Sequence, residues 1–178
     1  MKFIATTCLI SETHKPRPRQ HILDFIASNE MVFTPATLID IERGILRVTQ
    51  TNPAKAAALR EWFAQERARR VILTGRARET SKMLAAILEC RHLKYIWLPD
   101  PKSKHPSYGV HAATAAAAIV HELPIAAAGI KAYLAINEYF SIPGIYDVTS
   151  DRWCQAEYLK AKVKRLRPTD RVNYLSAA

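Results

Sequence analysis

The order of apolar and polar positions divides the chain into short buried runs and longer amphipathic stretches. Short apolar runs predict strands at residues 2–5, 31–33, 71–73, 124–127 and 145–148. Apolar residues spaced three and four apart predict helices at residues 20–28, 35–48, 54–70, 80–92 and 108–122. Residues 95–98 fit either a strand or a loop.

Prolines mark several boundaries between these elements. Thr34-Pro35 and Asn52-Pro53 each place a capping side chain before a proline, which is favoured at the first position of a helix. Two prolines within residues 15–19 and three within residues 99–107 predict loops, and both loops carry positive charges.

Strands that alternate with helices indicate an α/β fold in which helices flank a mostly parallel central sheet. Ligands of such folds bind beyond the carboxyl ends of the strands. The first predicted strand ends at Ala5, so we expect Thr6 and Thr7 to lie at the functional site.

Charge adds a preference for acidic partners. The chain has 26 Lys and Arg residues against 16 Asp and Glu residues, a formal charge of +10 at pH 7. Nucleic acid is the most common binding partner of proteins with such an excess of positive charge. No run of about 18 uncharged apolar residues occurs, so we expect no membrane partner.

The cysteines and the first residues bear on the cell compartment. Cys8, Cys90 and Cys154 are far apart and lack C-x-x-C spacing, which favours a reducing compartment, and we expect the cytoplasm. The opening MKFIATTCLI could be a signal peptide, but its apolar run is interrupted at residues 6–8, so we interpret it as a strand.

Four stretches of the chain carry recognisable motifs in collinear order: IATTCLISE (4–12), TLIDIERG (37–44), YGVHAATA (108–115) and LPIAAAGIKAY (123–133). They resemble the motifs L-L-D-T-N-V-I-S-E, T-x-x-E-x-x-x-G, D-x-x-I-A-A-T-A and L-x-L-V-T-R-N-x-x-D-F of PIN-domain nucleases of the VapC/FitB toxin type. The resemblance implies a PIN-like three-layer sandwich over residues 1–150. We interpret residues 151–178 as a basic C-terminal helical extension.

The chain departs from these motifs at the positions that carry the chemistry. The acids of the first and third motifs fall on Thr6 and Tyr108, while Asp40 keeps a carboxylate at the second. In the fourth motif the Thr, Asn and Asp fall on Ala127, Gly129 and Ala132. We therefore interpret Asp40 as a vestigial catalytic residue and Thr6 and Tyr108 as the positions of lost acids. Tyr108 either plugs the pocket or stacks on a base.

PIN nucleases hold Mg²⁺ or Mn²⁺ between converging carboxylates, and a single Asp supplies too little charge for this. We expect no cofactor, with Asp40 the one residue that could contact a metal. The resulting hypothesis is a non-cleaving pseudo-nuclease that binds nucleic acid or an antitoxin-like protein, with a homodimer implied by the resemblance. One alternative is an active Mg²⁺- or Mn²⁺-dependent ribonuclease toxin that uses Asp40 with Glu12 or Glu42. Another is an interaction module that forms mixed dimers with an active relative.

Basic residues on the predicted loops, helices and extension are the candidate nucleic-acid contacts: Lys15, Arg17, Arg19, Arg43, Lys102, Lys104, Lys160, Lys164 and Arg167. His111 is expected to be a buried polar group and Cys8 a small buried thiol. Trp62 and Phe63 fit either core packing or a dimer face.

Overall fold

The computed structural model describes residues 1–97 and 109–154, and in this part of the chain five strands form one sheet. The sheet order is β2-β1-β3-β4-β5. Its strands are β1 (Lys2–Ala5), β2 (Glu30–Val32), β3 (Ile125–Ala127), β4 (Ile145–Asp147) and β5 (Arg152–Trp153). The pairs β2-β1, β1-β3 and β3-β4 are parallel, and only β5 runs antiparallel to its neighbour, so the predicted mostly parallel sheet is confirmed.

Helices occupy most of the remaining described residues. They are α1 (Thr7–Ile10), α2 (Gln20–Ser28), α3 (Pro35–Thr51), α4 (Pro53–Ala68), α5 (Ala77–Glu89), α6 (Lys94–Trp97), α7 (Val110–His121) and α8 (Lys131–Asn137). Two turns of 3₁₀ helix, Ser11–His14 and Arg91–Leu93, follow α1 and precede α6. None of the helices in this part of the chain is long and apolar enough to cross a membrane.

The sheet separates two layers of helices, because alternate strand residues point to opposite faces. On one face Ile4, Ile125 and Ile145 pack with apolar residues of α5, α7 and α8. On the other face Phe3 and Met31 pack with apolar residues of α2, α3 and α4. The Ala-rich α7 is buried over most of its length, and the three-layer sandwich is as predicted.

Two expectations about secondary structure were wrong, and three elements had not been expected. The apolar run at residues 71–73 forms a single bridge between Ile72 and Phe33, beyond the end of β2, instead of a strand. Residues 94–97 form the short helix α6, where a strand or a loop was expected. The chain also forms α1, α8 and β5, which the apolar pattern did not indicate.

Strand β5 lies just after the predicted domain boundary at residue 150 and belongs to the sheet. Tyr146 of β4 pairs with Trp153, whose ring lies so close to Gly144 that a Cβ on that glycine would be 2.7 Å from it. Cys154 is buried and its amide donates to the carbonyl of Ile145 at 2.9 Å. The predicted helical extension from residue 155 onward lies outside the described residues.

Candidate functional site

A pocket of about 250 Å³ opens at the carboxyl ends of β1 and β3, where the α/β pattern predicted the site. Three of the residues predicted to lie at the site, Thr6, Thr7 and Asp40, meet in it. We name it the threonine pocket, and it is lined by Thr6, Thr7, Cys8, Asp40, Arg47, Val110, His111, Thr114, Gly129 and Tyr133.

Thr6, at the first position of a lost acid, is part of the framework of the sheet. It is buried, and its hydroxyl donates to the carbonyl of Ala126 on β3 at 3.0 Å. The Thr6 oxygen also lies 3.1 Å from the sulfur of Cys8. Since the hydroxyl proton of Thr6 is directed to Ala126, the thiol is the donor in this second contact. Cys8 itself is exposed at the pocket mouth, and the expectation of a buried thiol was wrong.

Helix α3 carries Asp40 to the pocket, and its start is fixed by two threonines. The buried Thr34 side chain caps the helix by accepting the amide of Thr37 at 3.2 Å. The hydroxyl of Thr37 then donates to the carbonyl of Ala5 at 3.1 Å, which ties α3 to the end of β1. This hydrogen bond between α3 and β1 sets the position of Asp40 relative to Thr6.

Asp40 is partly buried and lies among arginines. Its carboxylate is 3.6 Å from the guanidinium of Arg43, one turn further along α3. Arg47 lies on the same face of α3, two turns after Asp40, and also lines the pocket. The one acidic charge among the described lining residues is therefore balanced by nearby basic charge.

Two rings form the inner wall of the pocket. Tyr133 is fully buried with its hydroxyl bonded to Thr114, and burial raises the pKa of its phenol. The ring of His111 meets that of Tyr133 edge-on at 5.4 Å between centroids. Burial lowers the pKa of His111, so the imidazole is neutral at pH 7 and adds no charge.

Glu12 is buried and its charge is already paired. Arg19 donates to one carboxylate oxygen at 2.8 Å, and Lys15 contacts the other oxygen. The hydrogen bonds from Arg19 and Lys15 outweigh desolvation and lower the pKa of Glu12 to about 2. Glu12 does not line the threonine pocket, and neither does Glu42, which is exposed on α3.

The predicted basic contacts fall into distinct surroundings. Lys15 and Arg19 hold Glu12, Arg43 pairs with Asp40, and Arg17 is exposed on the loop before α2. The remaining predicted site residues lie outside the described residues: Lys102, Lys104, Tyr108, Lys160, Lys164 and Arg167.

Sequence reasoning missed several residues of the pocket. Arg47 could have been found from its spacing, since residues seven apart on a helix share a face. Thr114 lies in the third motif and Tyr133 in the fourth, but their mutual hydrogen bond depends on how α7 packs against α8. His111 was expected to be buried with a specific partner, and it is partly buried with its ring against Tyr133.

Two larger openings share residues with the threonine pocket. The aromatic pocket, of about 650 Å³, shares His111 and includes His92, Tyr95, Lys131, Glu138 and Tyr139. The α3–α4 groove, of about 620 Å³, shares Thr7, Asp40 and Arg47 and runs to Leu59 and Trp62. The indole of Trp62 donates to Thr13 at 2.8 Å, and Phe63 is buried in the core.

Comparison with solved structures finds a similar chain in the crystal structure of FitAcB from Neisseria gonorrhoeae. The TM-score is 0.54 at 19% sequence identity, over 77% of this chain and 94% of that chain. No family model and no curated protein matches the sequence. The likeness confirms the PIN/VapC-like fold predicted from the order of motifs, and the chemistry has to be inferred from the residues in the pocket.

Proposed function

We propose that this PIN-like protein is a pseudo-nuclease that binds nucleic acid without cleaving it. The observation that carries the proposal is the donor set of the threonine pocket. Among its described lining residues Asp40 is the single carboxylate, and it lies 3.6 Å from Arg43. The other polar groups there are hydroxyls, a thiol, a neutral imidazole and the guanidinium of Arg47.

This donor set does not fit Mg²⁺ or Mn²⁺. Both ions prefer several oxygen ligands, and carboxylates supply the negative charge that offsets their loss of water. The described residues contain no cluster of three or more His, Cys, Asp or Glu side chains that could hold a metal ion. The active ribonuclease alternative needs Glu12 or Glu42 beside Asp40, but Glu12 is ion-paired and buried while Glu42 faces solvent.

Charge supports nucleic acid as the ligand. The chain carries a formal charge of +10, and the described lining of its pocket has a single carboxylate instead of the cluster of like charges that repels phosphate in an apo nuclease site. Arg47 at the pocket and Arg17 on the neighbouring loop are candidate phosphate contacts. The unpaired cysteines favour the cytoplasm as the place of action.

An antitoxin-like protein is a second candidate partner. The likeness to FitAcB and the α3–α4 groove, which combines apolar and basic lining residues, both favour it. Ile39 and Leu46 lie seven residues apart on α3 and are 57% and 60% exposed. Such an apolar pair on one helix face favours a homodimer or, as an alternative, a mixed dimer with an active relative.

The deciding experiment is cleavage of structured and single-stranded RNA with excess Mg²⁺ or Mn²⁺. We expect no cleavage by the wild-type protein or by Asp40→Asn. Glu42→Gln is the matched control, since it removes an exposed carboxylate from the same helix outside the pocket. Cleavage that is lost in Asp40→Asn and kept in Glu42→Gln would overturn the proposal and place a working metal site at Asp40.

A further inference from the structure

The aromatic pocket contains stacked rings at the protein surface. The rings of His92 and Tyr139 lie 5.3 Å apart between centroids and only 2° from parallel. Tyr95 lines the same pocket and is 70% exposed. An exposed tyrosine ring in a pocket that also contains a stacked pair has a face available to another flat ring.

We propose that the aromatic pocket is a base-stacking subsite for single-stranded nucleic acid, an inference that rests on the proposed function. Every nucleobase presents a flat face, and stacking on aromatic side chains is the usual way to hold an unpaired base. The pocket volume of about 650 Å³ suits one or two bases. Duplex bases are stacked within the helix and are not available to it.

The position of the pocket supports a continuous path for a strand. His111 lines both the aromatic pocket and the threonine pocket, so the two openings adjoin. A strand whose phosphate lies near Arg47 in the threonine pocket has its next nucleotides directed past His111 towards Tyr95. Lys131, exposed at the start of α8, is placed to contact the backbone there.

The charges of the aromatic pocket nearly cancel, which predicts how it contributes to binding. Lys131 is offset by Glu138 in the same lining, so stacking rather than Coulomb attraction dominates at this subsite. Loss of a stacking ring should therefore weaken binding without changing the salt dependence. Loss of a phosphate contact should reduce the salt slope by about one unit.

The test measures the affinity of the full-length protein for a fluorescein-labelled single-stranded RNA of about 12 nucleotides, across a salt series. Tyr95→Ala should weaken binding by roughly fivefold to a hundredfold with an unchanged salt slope. Tyr95→Phe keeps the ring and should bind as the wild type does. Neither change should alter the affinity for duplex RNA. Because Tyr95 is 70% exposed, both variants should keep the wild-type unfolding midpoint.

The outcomes separate this inference from the function on which it rests. If the wild type and Tyr95→Ala bind the single strand equally, the subsite is wrong while nucleic-acid binding stands. If the wild type binds no nucleic acid, both proposals fail. Equal weakening of single-strand and duplex binding by Tyr95→Ala would also overturn the subsite, since a duplex offers no free base face.

Discussion

At the scale of single residues, Glu12 is a buried carboxylate held by two cations. Its side chain is 1% exposed, and the hydrogen bonds from Arg19 and Lys15 lower its pKa from 4.5 to about 2. A carboxylate whose pKa is lowered by folding stabilises the fold fully at pH values above its pKa in the unfolded chain. This contribution disappears as the pH falls through its pKa in the folded protein. We expect Glu12→Gln to lower the free energy of unfolding by about 2 kcal/mol at pH 7. This is less than for a fully buried pair, since both cations are partly exposed.

Urea unfolding of both proteins across pH measures this contribution. The difference in the free energy of unfolding between wild type and Glu12→Gln should be constant above about pH 5 and shrink as the pH approaches about 2. Glu42→Gln, which removes an exposed carboxylate from α3, is the control for the substitution itself. A difference that stayed constant down to about pH 2.5 would mean that Glu12 titrates at the same pH in the folded and unfolded chains.

At the scale of elements, the capped start of α3 positions Asp40 relative to Thr6. Thr34→Ala removes the oxygen that accepts the Thr37 amide and leaves a buried donor without its partner. We expect a loss of about 1–2 kcal/mol in the free energy of unfolding, measured by urea titration. Thr34→Ser keeps the oxygen and should retain most of the stability. Equal losses in both variants would assign the effect to the Thr34 methyl group instead of the cap.

Elements with local signals could be predicted from the sequence, and elements without them could not. Helices α3 and α4 begin at Pro35 and Pro53, where a capping side chain and a proline act within a few residues. Strand β5 has only two residues, and its Trp153 lies against Gly144, a contact that no local pattern encodes. The run at residues 71–73 is apolar enough for a strand, but it meets the sheet only beside Phe33.

The same distinction applies to the site. Thr6 and Asp40 could be placed together because the order of motifs fixes which strand and helix carry them. The pairing of Lys15 and Arg19 with Glu12 was not foreseen, since it depends on how the loop folds back on the turn after α1. Charge in the sequence therefore indicated the kind of partner, while the fold determines which of these cations already hold a carboxylate.

At the scale of the whole molecule, basic residues continue along the chain beyond the last described strand, β5. Strand β5 belongs to the sheet, and the buried Cys154 follows it directly. Residues 155–178 contain six of the 26 Lys and Arg residues and two of the 16 Asp and Glu residues, so without them the formal charge falls from +10 to +6. Residues 151–154 contain Asp151 and Arg152, whose charges cancel. Chains truncated after Ser150 and after Cys154 thus have the same formal charge, and only the longer one keeps β5.

This pair of truncations tests the predicted extension and the contribution of β5 separately. Both should weaken RNA binding and reduce the salt slope by a few units, because each lost phosphate contact removes about one. The chain that ends at Ser150 should in addition lose about 2–4 kcal/mol in the free energy of unfolding, since it loses Trp153 from the aromatic cluster with Phe3 and Tyr146. Fluorescence anisotropy measures the salt slopes, and urea titration measures the free energies of unfolding.

Equal stability of the two truncated chains would show that β5 contributes little to the fold. An unchanged slope in both would exclude the extension as a nucleic-acid contact and leave the basic residues before residue 151 as its source.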